Sequence, residues 1–290
     1  AMEWDGTSPT LNVLAGEDAQ GNPIASSVLL TNCRSGIAGT FNITIKNSSF
    51  DVLDNTGNGS NGSNYWITES TVRFRNNGSH GLSANQLHIT DSTVEATNNG
   101  YNGIVAGNIT INAGSHVLVE GNTARGTVSA FHVLYATGRC TIDAGADVRI
   151  SNNHKSGIQV EKAGAVMTMN AGVVTGNGID ESNEYGGGVR TAGTFVMSGD
   201  VRMYNNAASK AGDDLYVYPG GKITFTDEQS DEGLTLTVRC AQKHTIDGWY
   251  QDGADARWNA DSKPVYAVRY LPGEGEAEGE LTLKAAHGLK

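Results

Sequence analysis

Proline is scarce in this chain, at 5 of 290 residues, and cysteine is scarcer, at 3. Cys33, Cys140 and Cys240 are odd in number, far apart in sequence and free of Cys-x-x-Cys spacing. That excludes a zinc ribbon and a disulfide framework, and leaves at least one thiol unpaired within the chain. All three read as small buried residues, with a single bridge as the alternative. Long apolar runs are missing too: nothing approaches the ~18 consecutive apolar residues of a membrane-spanning helix. Apolar residues come instead in runs of two to four, too short for long amphipathic helices. Cations are outnumbered, with 20 Lys and Arg against 31 Asp and Glu for a net charge of −11. An acidic surface repels phosphate backbones and anionic lipid, so neither nucleic acid nor membrane insertion is expected. There is no Gly-x-Ser-x-Gly elbow, no phosphate loop and no His-Glu-x-x-His pair.

Glycine, by contrast, is plentiful at 38 residues, and Asn and Thr are common. A hydrophobic fraction of 38% argues against disorder. The abundance resolves into a repeat. Ser70-Thr-Val72-Arg-Phe74-Arg-Asn76-Asn77 precedes Gly81-Leu82. Ser92-Thr-Val94-Glu-Ala96-Thr-Asn98-Asn99 precedes Gly103-Ile104. Ser115-His-Val117-Leu-Val119-Glu-Gly121-Asn122 follows, then Ala146-Asp-Val148-Arg-Ile150-Ser-Asn152-Asn153 before Gly157-Ile158. Looser copies end in Asn177 and Asn206. Successive second Asn residues are 22, 23, 31, 24 and 29 positions apart, which is a coil of 22 residues with loop insertions in the longer steps.

Such a coil has room for three short strands and three turns. Alternation along each strand places Val72 and Phe74 on one side and Arg73 and Arg75 on the other. The same pattern marks Ile43/Ile45, Leu87/Ile89, Ile109/Ile111, Val117/Val119, Val148/Ile150, Met167/Met169, Val201/Met203 and Ile223/Phe225 as the stacked core. An Asn side chain both donates and accepts and tolerates left-handed backbone, so Asn77, Asn99, Asn122, Asn153, Asn177 and Asn206 are expected to form a structural ladder through the turns. Gly at the following turn reads as serving the same left-handed geometry. A leucine-rich repeat needs more Leu at fixed spacing, and a propeller needs a period of roughly 40 or more. The fold class is therefore all-β, a right-handed parallel β-helix of three-strand coils.

Coils are expected from 24–30 to 225, eight or nine of them, stacked at about 4.8 Å each. Residues 1–22 read as an irregular N-terminal cap holding Trp4, so the division is 1–225 for the capped β-helix and 226–290 for a small β-rich C-terminal cap. In that cap, the acidic run from Gly273 to Glu280 reads as an exposed hairpin tip, with cation binding by Glu276 and Glu278 as the alternative. The opening Ala1-Met2-Glu3-Trp4 has no secretory leader and reads as a domain of a longer protein.

Asn205-Asn206-Ala-Ala-Ser-Lys-Ala-Gly-Asp213-Asp214-Leu-Tyr-Val, with the following Gly220-Gly221-Lys-Ile-Thr-Phe, resembles modules of Gram-positive cell-surface proteins with right-handed, pectate-lyase-like β-helix regions. Ile246-Asp-Gly-Trp249-Tyr250-Gln-Asp252-Gly with Arg257-Trp258 is similar to the segment that closes such regions. The resemblance spans about residues 28–260. It implies a secreted, often wall-anchored, adhesin-like protein of host-associated bacteria.

The fold also hosts polysaccharide lyases and hydrolases, whose acids line a groove along one sheet. Asp213-Asp214 resembles a polygalacturonase aspartate pair and Ser79-His80-Gly81 its Gly-His-Gly. Their order is reversed, however, and the Asn-Thr-Asp partner is missing, so no catalytic residue is assigned. Asp180, Glu181 and Glu184, near Arg190, offer oxygen ligands to a cation, with a solvated loop as the other reading; no metal or cofactor is assigned. Specificity belongs to the insertions, because the strands are scaffold. The longest are Thr123–Gly138 and Gly178–Gly187, with a Gly/Asn/Ser loop from Asn55 to Trp66 as a third. The expected ligand-binding residues are Asp180, Glu184, Tyr185, Arg190, Arg125, His132, Tyr135 and Trp66. The expected function is a non-catalytic, extracellular adhesin domain, displayed as a monomer on a bacterial cell wall, whose partner is a host glycoprotein or glycan. Alternatives are a polysaccharide lyase or glycoside hydrolase, and a passive spacer.

Overall fold

The computed structural model describes residues 9–123, 131–210, 214–218 and 221, with the backbone of the strands Lys222–Phe225, Leu236–Cys240, Trp249–Gln251, Tyr266–Leu271 and Gly279–Ala285. The chain winds through three parallel sheets, one strand of each per coil. The first sheet runs from Thr10–Leu14 through Asn42–Lys46 and on to Lys222–Phe225. The second starts at Ser27–Thr31 and continues through Thr71–Arg75, Thr93–Thr97, His116–Glu120 and Asp147–Ser151. The third passes through Phe131–Val133, Ile158–Val160, Val189–Thr191 and Leu215–Val217. This is a parallel β-helix. Its first strand, Thr10–Leu14, lies inside the segment read from sequence as irregular, so the coils begin earlier than their repeat signature.

Alternation fixes the interior. Val72, Phe74, Leu87, Ile89, Val148, Ile150, Met167 and Met169 are each 0% exposed, and the coils share one continuous core. Arg73 and Arg75 point outward into ion pairs with Asp51 and Glu95 of the neighbouring coils. The side chains of Ile223 and Phe225 lie outside the described residues. Past residue 225, Leu236–Cys240 and Trp249–Gln251 continue the parallel pairing, and Tyr266–Leu271 pairs antiparallel with Gly279–Ala285. Trp4, Glu276 and Glu278 lie outside the described residues.

The turns between the second and third sheets carry the Asn ladder. Asn77 uses its backbone N–H and its side-chain Nδ2 to donate to Oδ1 of Asn99, at 3.1 and 3.0 Å. The second Nδ2 hydrogen goes to the carbonyl of Val52, one coil back. The same set repeats from Asn99 to Asn122, Asn122 to Asn153, Asn153 to Asn177 and Asn177 to Asn206. Asn55, outside the repeat as read from sequence, is a seventh member and donates to Asn77. Cys33 stands at the same place one coil earlier, its N–H donating to Asn55 Oδ1. At the other end, Asn206 Nδ2 donates to the buried carboxylate of Asp214 at 2.8 Å. A shorter row, Ser48 to Ser70 to Ser92, performs the same backbone-to-side-chain bonding between the first and second sheets.

Within each Asn pair the labour is divided. The first residue takes the left-handed angle, with φ near 55° at Asn76, Asn98, Asn152 and Asn205, and it is the one replaced by glycine at Gly121 and Gly176. The second makes the ladder. The glycines before the third sheet have a different reason from the left-handed backbone read from sequence, since Gly81 and Gly103 have no left-handed φ. A Cβ on Gly103 would stand 2.7 Å from Nδ2 of Asn122, and one on Gly81 2.6 Å from Nδ2 of Asn99. The ladder amide occupies the space of a side chain.

Two other expectations are corrected. Cys140 is buried but Cys33 is exposed, because its turn lies at the end of the stack where no earlier coil covers it; both thiols are free. The side chain of Cys240 lies outside the described residues. The segment from Asn55 to Trp66 is a loop only at its start: Ser60–Thr68 is a strand, and Tyr65 is 0% exposed with its hydroxyl donating to Ser60.

Removing one ladder amide orphans two buried donors on its neighbour. Asn99→Ala is expected to cost about 2–4 kcal/mol, and Asn98→Gly less than about 1 kcal/mol, since glycine suits a left-handed turn. Urea unfolding of the two variants measures the contrast; equal losses would contradict the division of roles.

A candidate binding cleft on the third sheet

Outward-facing residues of the third sheet stack in register as Ser83, Val105, His132, Gln159, Arg190 and Tyr216. Each is the residue between two inward-facing positions of its strand. Small or aliphatic side chains in the early coils give way to hydrogen-bonding and aromatic ones in the later coils. There Gln159 and Arg190 of the row, flanked by His132 and Tyr216, form the floor of a cleft of about 690 Å³, within the range of ordinary ligand pockets. Turns form its two walls. Lys155, Ser182, Asn183, Glu184 and Tyr185 stand on the side where the chain enters the third sheet, and Glu161, Ala192 and Tyr218 on the side where it leaves.

The first wall is the insertion between Asn177 and Gly188, and the fold holds it tightly. Asp180 accepts from the N–H and hydroxyl of Ser182 and lies 3.2 Å from Nζ of Lys155. Those bonds, with the Ser182 N–H foremost, lower its pKa to about 2. Asn183 is buried and donates to the carbonyl of Ala207, while its own backbone carbonyl accepts from the N–H of Ser209. Glu184 pairs with Lys210 at 2.8 Å, and the Lys210 ammonium also sits over the Tyr185 ring. Tyr185, Tyr216 and Tyr218 form a chain of ring contacts at 4.7 and 4.8 Å. Gly186 brings the wall down onto the floor: its φ is +61°, and a Cβ there would stand 2.6 Å from Cβ of Arg190.

The floor is polar. Arg190, 7% exposed, donates through Nη2 to Gln159 Oε1 at 2.7 Å and lies within hydrogen-bonding reach of Tyr218. Burial pulls its pKa down, opposed by Tyr218 and Glu161. His132 is 4% exposed, with Nε2 3.0 Å from Oε2 of Glu161. Burial lowers the His132 pKa, with Arg190 and His80 acting in the same direction and Glu161 opposing. His80 is also held neutral by burial, and packs edge-on against Tyr101 at 4.8 Å.

Of the residues named from sequence, Glu184, Tyr185 and Arg190 line the cleft, while Asp180 and His132 stand behind its lining, against Lys155 and Glu161. Two others sit elsewhere. Trp66 faces out from the first sheet, stacked on His88 at 6.0 Å. Tyr135 folds over Gly107 toward Asn85, away from the cleft. Both were chosen as aromatics beside polar loops, a criterion blind to which of three faces a residue occupies. Arg125 lies outside the described residues, as does Asp213; Asp214 is the buried end of the ladder. Sequence reading missed Lys155, Gln159, Glu161, Tyr216 and Tyr218. Aligning Gly157-Ile158-Gln159-Val160 with Gly188-Val189-Arg190-Thr191 and Asp214-Leu215-Tyr216-Val217 would have found the floor, since the third residue of each faces outward.

A neutral buried histidine makes stability depend on pH. The unfolded chain takes up this proton as pH falls through about 6.5, whereas folded His132 resists it. The stability that neutral His132 contributes is complete above that pH and is lost as pH falls toward the lower folded value. Thermal unfolding between about pH 7.5 and about pH 5 is expected to show a smaller decline in His132→Gln than in the parent; matching declines would contradict the assignment.

No protein-family profile, curated protein sequence or solved structure matches this chain.

Proposed function

We propose that this chain is a non-catalytic glycan-binding module of a secreted or surface-displayed protein, and that the glycan lies along the third-sheet cleft. The observation that carries the reading is one preformed groove combining half-buried Tyr185 and Tyr218 with the fixed polar groups of Gln159, Arg190 and Lys155. Sugar rings ask for this mixture, an apolar aromatic surface with directional hydrogen bonds at its edge. The wall is tied by its own hydrogen bonds before any ligand arrives, which lowers the ordering cost of binding. A passive spacer has no need of such a groove.

Binding is favoured over hydrolysis by the state of the carboxylates. Glu184 is paired with Lys210, and Glu161 with both Lys162 and His132. Hydrolysis needs one carboxyl to deliver a proton and a second to act as base or nucleophile. Display on a Gram-positive cell wall and a host glycoprotein as the natural partner follow from the sequence resemblance alone, and extend this proposal.

Binding to an array of mucosal and plant glycans, paired with analysis of the same glycans for cleavage products, tests the reading. Retention without cleavage is expected, and Tyr185→Ala should weaken it about tenfold. Released products would establish the enzyme alternative, and no retention on any glycan would remove the proposal.

A further inference from the structure

One cation of the cleft has no direct ion-pair partner among the described residues. Lys155 is neutralised by Asp180, and the two carboxylates of the walls are taken by Lys210 on one side and by Lys162 and His132 on the other. Arg190 has no carboxylate within ion-pairing distance among the described residues; its hydrogen-bonding neighbours are the neutral Gln159 and Tyr218, and Glu161, already paired with Lys162, acts on it only from beyond that distance. It is more than nine-tenths buried, and its Nε–H has no acceptor among the described residues. A buried donor left unpaired is costly, the more so on a charged group. The surroundings hold it there nevertheless. Gly186 leaves room for the wall to pack against the base of Arg190, and strand pairing on both sides fixes its backbone.

We infer that the cleft selects glycans carrying an anionic substituent, a carboxylate or a sulfate, which docks on the guanidinium of Arg190 between Gln159 and Tyr218. This rests on reading the cleft as a glycan site and adds the class of glycan. A planar guanidinium offers parallel N–H donors that match two oxygens of such a group. The contrast with the rest of the molecule sharpens the selection. On a chain of net charge −11, an acidic polymer is repelled at large and accepted where a cation without a direct ion-pair partner lines a cleft.

An array of glycans in matched sets tests this: a neutral core, the same core with a carboxylated sugar, and the same core with a sulfate. The parent protein is expected to retain acidic members at least about tenfold more strongly than their neutral cores. The carboxylate and sulfate arms report which anion is preferred. Arg190→Gln should erase the difference between acidic and neutral members, weakening acidic members far more than neutral ones, Arg190→Lys should keep part of the difference, and Tyr185→Ala should weaken all members alike. Circular dichroism and the unfolding midpoint establish that each variant is folded, and the comparison on the parent protein stands without them. Equal retention of neutral and acidic members by the parent would overturn the inference and leave the glycan reading intact. Failure to retain any member would overturn both.

Discussion

The buried amide of one asparagine per coil is the constraint on which the rest of this structure depends. A three-sided coil must turn sharply three times, and each turn brings backbone N–H and C=O groups into a space that water does not reach. One turn of each coil solves this with a side chain. Oδ1 of Asn99 accepts both donors of Asn77, and Nδ2 of Asn99 serves Asn122 above and a carbonyl below. In low dielectric such bonds are stronger, and leaving any one unmade is expensive. A coil cannot slip by one residue without orphaning a whole rung, so the ladder sets register as well as stability. It also dictates glycine before the third sheet, where the amide fills the space that a Cβ would need.

Register produces the cleft. Once every coil is locked to the next, outward positions of the third sheet must align, and their chemistry adds up along the axis. The insertion between Asn177 and Gly188 rises from a ladder turn, so its base is fixed. Its crest is held by Asp180, Asn183 and Glu184 against the coils on either side. The cost of an irregular wall is thus met by hydrogen bonds within the fold, and the groove is shaped before any ligand enters.

Much of the scaffold was legible in the sequence, for a physical reason. Alternation of apolar residues and the recurring Asn pair both report strictly local needs, a two-sided strand and a left-handed turn. The less regular ends were harder. Asn55 follows Asp54 instead of Asn, and Thr10–Leu14 carries no downstream ladder residue, so neither matched the repeat. The site was partly legible. Asp180, Glu184, Tyr185 and Arg190 announced themselves by sitting in or beside an insertion. Gln159 and Tyr216 occupy ordinary strand positions, and only stacking of distant coils makes them neighbours. Trp66 shows the converse: it is a conspicuous residue that the fold places on the first sheet, apart from the cleft.

Amide hydrogen exchange tests the ladder account most directly. Turn N–H groups ordinarily exchange fast, because they face water. If the ladder locks the coils, the backbone amides of Asn77, Asn99, Asn122, Asn153 and Asn177 are protected to the same degree as those of Val72, Val94 and Val148 in the core strands, and open only with global unfolding. Exchange of those five amides at the rate of exposed turns, with the strands still protected, would contradict it.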